Sequence, residues 1–286
     1  MDKNSSPIIE ATELLALSKS KNLVLIDARN GKNAKENYEE KHLEGALFVD
    51  LNSQLADIKE DFSIGGRHPL PKIEDFLETV ANLGISSTSR VVIYDDKNGS
   101  NAAARLWWML KSIGHEKVQV LNGGIQAAEK INFPNSSKKE IFPKATAYKT
   151  KNWKLQIAEM EEVEKASQDK NHIVIDVRDV ERYNGETEPI DLVAGHIPGV
   201  INIPFTENLD ANGLFLPPNE LKEKYSKVFE KVKSENCIVH CGSGVTACHT
   251  LLAIAYAELE IPKLYVGSWS EWSRNNKAIA TKAENK

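Results

Sequence analysis

The chain has 286 residues, 41% apolar and 27% charged, with a formal net charge of −5. That length suits two domains that each bury a core. Lysines scattered through an acidic background offer no basic stripe for nucleic acid, and no run reaches the roughly 20 apolar residues that span a bilayer.

In chain order, the opening Met1-Asp-Lys-Asn-Ser-Ser-Pro7 carries no apolar leader. Leu23-Val-Leu-Ile-Asp-Ala-Arg29 reads as a strand, followed by His42-Leu-Glu-Gly-Ala46 and the turn-rich Gly65-Gly-Arg-His-Pro-Leu-Pro71. A second strand, Arg90-Val-Val-Ile-Tyr-Asp95, leads through an acidic loop into the helical run Ala102 to Leu110, and Val118-Gln-Val-Leu-Asn-Gly-Gly124 is a third. Pro134, Ser136, Ser137, Pro143 and several lysines mark a linker. The same blocks then return in order: Ile173-Val-Ile-Asp-Val-Arg178, His196-Ile-Pro-Gly-Val200, Asn236-Cys-Ile-Val-His-Cys241, a helix pattern from Thr246 to Leu259, and Lys263-Leu-Tyr-Val-Gly-Ser268. The basic Lys138-Lys139 and the tail Lys277 to Lys286 read as solvated linker and frayed terminus.

This internal repeat predicts an α/β protein of two tandem domains, each a mostly parallel sheet flanked by helices. The expected bounds are 1–133 and 156–286, joined by a linker over 134–155. Asp27 with Arg29, and Asp176 with Arg178, predict an ion pair bracing each strand end. His42 and His196 precede matching turns, which implies a shared structural role.

Cys241 ends an apolar strand and opens Cys-Gly-Ser-Gly-Val-Thr-Ala247 before a helix. Gly242 and Gly244 let the backbone curl and turn N–H groups toward the sulfur, and the helix aims its positive end there. That combination suits a nucleophilic thiolate. Cys237 and Cys248 read as small core residues, and three cysteines without disulfide spacing point to a reducing, cytoplasmic compartment. Ser243 offers either a hydroxyl hydrogen bond to the sulfur or a turn satisfying its own backbone. Thr246 reads first as the helix cap, and Trp269 and Trp272 as core packing. Asp95 stands where the first half would need the thiol, so that half is expected to be catalytically silent.

The paired Asp-x-Arg strands, the His-x-x-Gly blocks and the Cys241 loop resemble the two-domain rhodanese family of sulfurtransferases over nearly the whole chain. The resemblance implies transfer of a sulfane sulfur from 3-mercaptopyruvate or thiosulfate, through a persulfide on Cys241, to a thiol or thioredoxin-like acceptor, without cofactor, metal, nucleic acid or membrane. Gly242, Gly244, Val245 and Thr246 would line the anion cradle. The loop wording is closer to the mercaptopyruvate enzymes, because thiosulfate's two charges call for cations that Gly242 and Ser243 do not supply. Arg182 matches an arginine that binds the donor's anionic group. The second arginine that mercaptopyruvate enzymes carry after Glu-Pro is replaced here by Ile190 and Asp191, and Arg67 is a candidate substitute. His68 matches a histidine proposed to act with the loop serine and an aspartate, whose position falls near Asn52 and Asp50; a turn histidine without catalytic duty is the competing reading.

A cysteine phosphatase needs an arginine six residues after the nucleophile, where this chain has Ala247. A zinc site from His240, Cys241, Cys248 and His249 is opposed by their placement on opposite strand faces and a separate helix. The remaining alternative is a persulfide carrier without turnover.

Overall fold

The computed structural model describes residues 6–146, 148–230 and 232–282. Residues 1–5 of the first expected domain, Ala147 of the expected linker, Lys231, and residues 283–286 of the basic tail lie outside the described residues. The strands are β1 (Ile8–Ile9), β2 (Leu23–Asp27), β3 (His42–Leu43), β4 (Ala46–Phe48), β5 (Arg90–Tyr94), β6 (Val118–Leu121), β7 (Asn135–Ser136), β8 (Ile173–Asp176), β9 (Ile201–Asn202), β10 (Cys237–His240) and β11 (Lys263–Leu264). One sheet has the order β1-β6-β5-β2-β4 and a second β11-β10-β8-β9. Every pairing within these two sheets is parallel, and β3 with β7 forms a small antiparallel ladder.

Parallel strands covered on both faces need apolar residues without alternation. Val91 to Tyr94 and Ile238 to His240 accordingly sit at or near full burial. The helix Ala102–Ser112 follows β5 and buries nearly all its side chains; the helix Thr246–Tyr256 follows β10 and does the same from Ala247 to Ile254. The latter ends three residues before the expected Leu259, because Glu258 takes a left-handed φ of 58° and Leu259 N–H folds back on the Ile254 carbonyl at 3.1 Å.

The chain divides into two compact units. The first comprises Met1–Ala56, Pro71–Lys154 and Ala211–Phe215; the second comprises Asp57–Leu70, Leu155–Asp210 and Leu216–Lys286. A stretch from the first half of the sequence, including Gly65 to Leu70, therefore belongs to the unit built on β8, β9, β10 and β11.

The repeat is carried down to single hydrogen bonds. Arg29 Nη2 meets Asp27 Oδ2 at 2.6 Å, and Arg178 Nη2 meets Asp176 Oδ2 at 2.6 Å. His42 Nδ1 donates to the Tyr38 carbonyl and His196 Nδ1 to the Tyr183 carbonyl, each at 2.7 Å. Each histidine stacks on that tyrosine, with ring centroids 4.1 Å and 3.8 Å apart. Both histidines thus hold a turn in place, as their repeated position implied.

Candidate active site

Cys241 follows directly on β10, at the carboxyl end of a parallel strand, where open α/β sheets present ligands. Its residue is 1% exposed. The turn is made at Gly244, whose φ is 71° and whose missing Cβ would lie 2.5 Å from the Val266 carbonyl oxygen; no other residue fits there. Trp269 N–H donates to the Cys241 carbonyl at 3.0 Å and Ser270 N–H to the Gly242 carbonyl at 2.9 Å. Cys241 N–H donates to Ser268 Oγ at 3.2 Å. The short helix Ser268–Trp272 thereby fixes the loop backbone.

The helix Thr246–Tyr256 takes Val245 as its N-cap, with no side-chain cap bond. Thr246 is its first helical residue rather than the expected cap. Of the first-turn N–H groups, Cys248 N–H donates to the Val245 carbonyl at 3.0 Å, and Val245 contributes no capping side chain to the others. This is the arrangement that receives an anion at a helix N-terminus.

None of the three cysteines forms a disulfide, and all are buried. The Cys237 thiol, pushed up to about 12 by burial, lies 3.5 Å from the Lys233 carbonyl. Cys248 Sγ donates to the Gly244 carbonyl at 3.3 Å, so this thiol braces the loop from beneath.

Two guanidiniums border the first residue of the loop. A methyl at Gly242 would lie 3.0 Å from Arg67 Nη2 and 3.5 Å from Arg182 Nη2. Both are held by the buried carboxylate of Asp191, with Arg67 Nε at 3.0 Å and Arg182 Nη2 at 3.3 Å, and Arg274 Nη1 joins them at 3.0 Å. Glu188 takes Arg182 at 2.7 Å and Arg178 at 3.3 Å. Burial opposes the Glu188 charge, but the Arg182 hydrogen bond and the Asp191 N–H hold its pKa below the usual carboxylate range. Burial likewise opposes the Asp176 charge, and Arg178 and His240 outweigh it in the same direction. The guanidinium of Arg178 lies 4.6 Å above the Trp269 ring, which places that tryptophan in the core under an ion pair. Trp272 is buried in the same apolar cluster.

His68 Nδ1 lies 2.8 Å from Ser243 Oγ, so the structure brings together two residues 175 positions apart. Asp50 is engaged locally: it caps the helix Leu51–Gln54, accepting from Ser53 N at 2.7 Å and Ser53 Oγ at 2.8 Å. Among the described residues no group of three or more His, Cys, Asp or Glu side chains is arranged to hold a metal ion, and no helix is long and apolar enough to cross a membrane.

The hub role of Asp191, and the contributions of Glu188, Arg274 and Ser270, carry no motif of their own in the sequence. The Asp191 position signalled only a departure from an expected arginine.

The family model for the rhodanese-like domain matches residues 10–130 and 159–275. A probable 3-mercaptopyruvate sulfurtransferase of Pseudomonas aeruginosa is 34% identical, the alignment covering 94% of this chain and 95% of that protein. A thiosulfate sulfurtransferase of Rattus norvegicus is 36% identical over 85% of this chain and 81% of its own. The solved 3-mercaptopyruvate sulfurtransferase from Leishmania major superposes with a TM-score of 0.82 at 26% identity, covering 95% of this chain and 75% of that one.

Proposed function

This chain belongs to the rhodanese family, and from that premise we propose that it is a sulfurtransferase whose nucleophile is Cys241 and whose preferred donor is 3-mercaptopyruvate. The Cys241 thiolate attacks the donor sulfur. The new S–S bond forms as the C–S bond breaks, the electron pair passes to carbon, and the donor's thiol proton ends on that carbon, giving pyruvate and a Cys241 persulfide. With thiosulfate the S–S bond of the donor breaks and sulfite leaves with the pair. A thiol or thioredoxin-like acceptor then takes the outer sulfur and restores the thiolate.

The loop N–H groups of Gly242, Ser243, Gly244, Val245 and Thr246 stabilise the sulfur anion with little reorganisation, since their direction is set before the donor arrives. His68 and Ser243 form a pair able to exchange a proton at the loop. The observation that carries the donor preference is that the loop itself places no cation at Gly242 or Ser243, and the two guanidiniums beside Gly242 are already tied to Asp191 and Glu188. Arg67 supplies from the segment Asp57–Leu70 the second cation that Ile190 and Asp191 do not. Within this cluster four guanidiniums, Arg67, Arg178, Arg182 and Arg274, face three carboxylates, Asp176, Glu188 and Asp191, and the Cys241 thiolate is the fourth negative charge. No surplus cation is left for the second charge of thiosulfate, which disfavours it relative to a singly charged donor.

The test is steady-state sulfur transfer to cyanide and to a dithiol from both donors, with Cys241→Ser as control. The expected result is a higher kcat/KM for 3-mercaptopyruvate and none in the control. A preference for thiosulfate overturns the charge reading, and a stable persulfide without turnover of either donor favours a carrier.

A further inference from the structure

We propose that Glu271 is a positioning residue for sulfur transfer, pinning the strap Asp57–Leu70 so that Arg67 and His68 face the cysteine loop. The inference rests on the roles given to those two residues above. The strap contains neither helix nor strand, so its backbone groups must find partners elsewhere. Glu271 Oε1 accepts from Gly65 N–H at 2.7 Å, and Oε2 accepts from the Tyr265 hydroxyl at 2.8 Å. One position earlier, Ser270 Oγ accepts from Arg67 N–H at 3.0 Å. Asn275 Nδ2 donates to the Ser63 carbonyl at 2.8 Å, and the Arg274 guanidinium lies 5.5 Å above the Phe62 ring.

Gly66, between the two anchored amides, has a φ of 77°, and a Cβ there would collide with the Gly267 carbonyl oxygen. The strap therefore passes flush against the turn that leads into the helix Ser268–Trp272. That same helix holds the Cys241 and Gly242 carbonyls through Trp269 and Ser270. A single short element thus holds the strap and the loop together, and Glu271 is its carboxyl contact to the strap. Removing the carboxylate leaves both the Gly65 N–H and the Tyr265 hydroxyl without their acceptor.

The experiment compares the full-length protein with Glu271→Ala, Glu271→Gln, Arg67→Ala and the double variant R67A/E271A. Hydrogen exchange is read at the Gly65 and Arg67 amides, and kcat/KM with 3-mercaptopyruvate. In E271A the strap amides should exchange about tenfold faster or more while β8 and β10 keep their protection, and kcat/KM should fall about tenfold. E271Q should recover most of both, because an amide oxygen still accepts from Gly65. The double variant should lose less than the product of the two single losses, since E271A acts through Arg67 and His68 and R67A already removes the first of these. Unchanged strap exchange in E271A, or losses that multiply in the double variant, overturns the proposal. If E271A does not fold, Ser270→Ala, which removes the acceptor of the Arg67 amide, carries the same expectations and the same refutation. If the wild-type protein does not turn over the donor, the sulfurtransferase reading falls, while the exchange data still decide whether Glu271 holds the strap.

Discussion

The turns that follow β5 and β10 close the same kind of strand and open the same kind of helix, yet one begins at Asp95 and the other at Cys241. In the first, the Asp95 carboxylate accepts from the N–H groups of Lys97 at 2.9 Å, Gly99 at 2.8 Å, Asn101 at 3.0 Å and Ala103 at 3.2 Å. The chain supplies its own acceptor for these four N–H groups. In the second, the residue at the strand end is a thiol, the turn is drawn tight by Gly244, and two guanidiniums stand beside Gly242. The first half fills its cradle with its own side chain, where the second half presents a thiol.

The largest test of that contrast exchanges the residue. Cys241→Asp should lower sulfur transfer by more than about a thousandfold, and mass spectrometry after donor treatment should find no added sulfur on the variant; retained turnover would move the nucleophile elsewhere. Next in size is the cation hub around Asp191 beside the second turn. Asp191→Ala leaves Arg67, Arg182 and Arg274 without their shared carboxylate and should cost about 3–5 kcal/mol in urea unfolding, with a raised KM for the donor in the protein that remains folded. A loss below about 1 kcal/mol would mean that the three arginines hold themselves. The third test empties the first cradle. Asp95→Ala should destabilise the chain by about 1–3 kcal/mol, the cost of buried N–H donors without an acceptor, while kcat/KM of the folded protein stays near the wild-type value.

The smallest effect is gradual. Asp176 and Glu188 have folded pKa values below their unfolded ones, so their contribution to stability is fully present above the unfolded value of about 4 and is lost as pH falls through the folded values. Urea midpoints measured from pH 6 down to pH 3 should decline through that window, and Asp176→Asn should flatten the decline. An unchanged slope in the variant would remove Asp176 from the acid response.

Much of this was readable from residues alone. Four blocks repeating in order predicted two parallel sheets, and the matching orders β6-β5-β2-β4 and β11-β10-β8-β9 are that repeat in space. The Cys241 loop, the Asp-x-Arg ion pairs and the structural histidines were legible because each is local: a strand end, a turn glycine, a residue two positions along. Arg67 was legible as a cation and His68 by resemblance, but not the contact of either, since Gly65 to Leu70 has no periodicity to assign it to one sheet or the other. Asp191 read as a missing arginine. Its function as a shared counter-ion depends on three side chains from the strap, the segment after β8 and the segment after β11, and such a meeting leaves no mark in local sequence. The Thr246 cap was misread because a helix that opens onto an anion cradle gains nothing from a side chain that fills it.

The strap also bears on how the protein is made. His68 is translated 175 residues before its partner Ser243, which at about 5–20 residues per second is roughly ten to thirty seconds of synthesis. When that interval begins, strands β5 and β6 are still to be made, and after them Asp57–Leu70 still waits for the helix Ser268–Trp272. The contacts between the strap and the cysteine loop can therefore form only after Ser268–Trp272 has been made, and a chain cut short before Glu271 would carry Cys241 without the acceptor of the Gly65 amide.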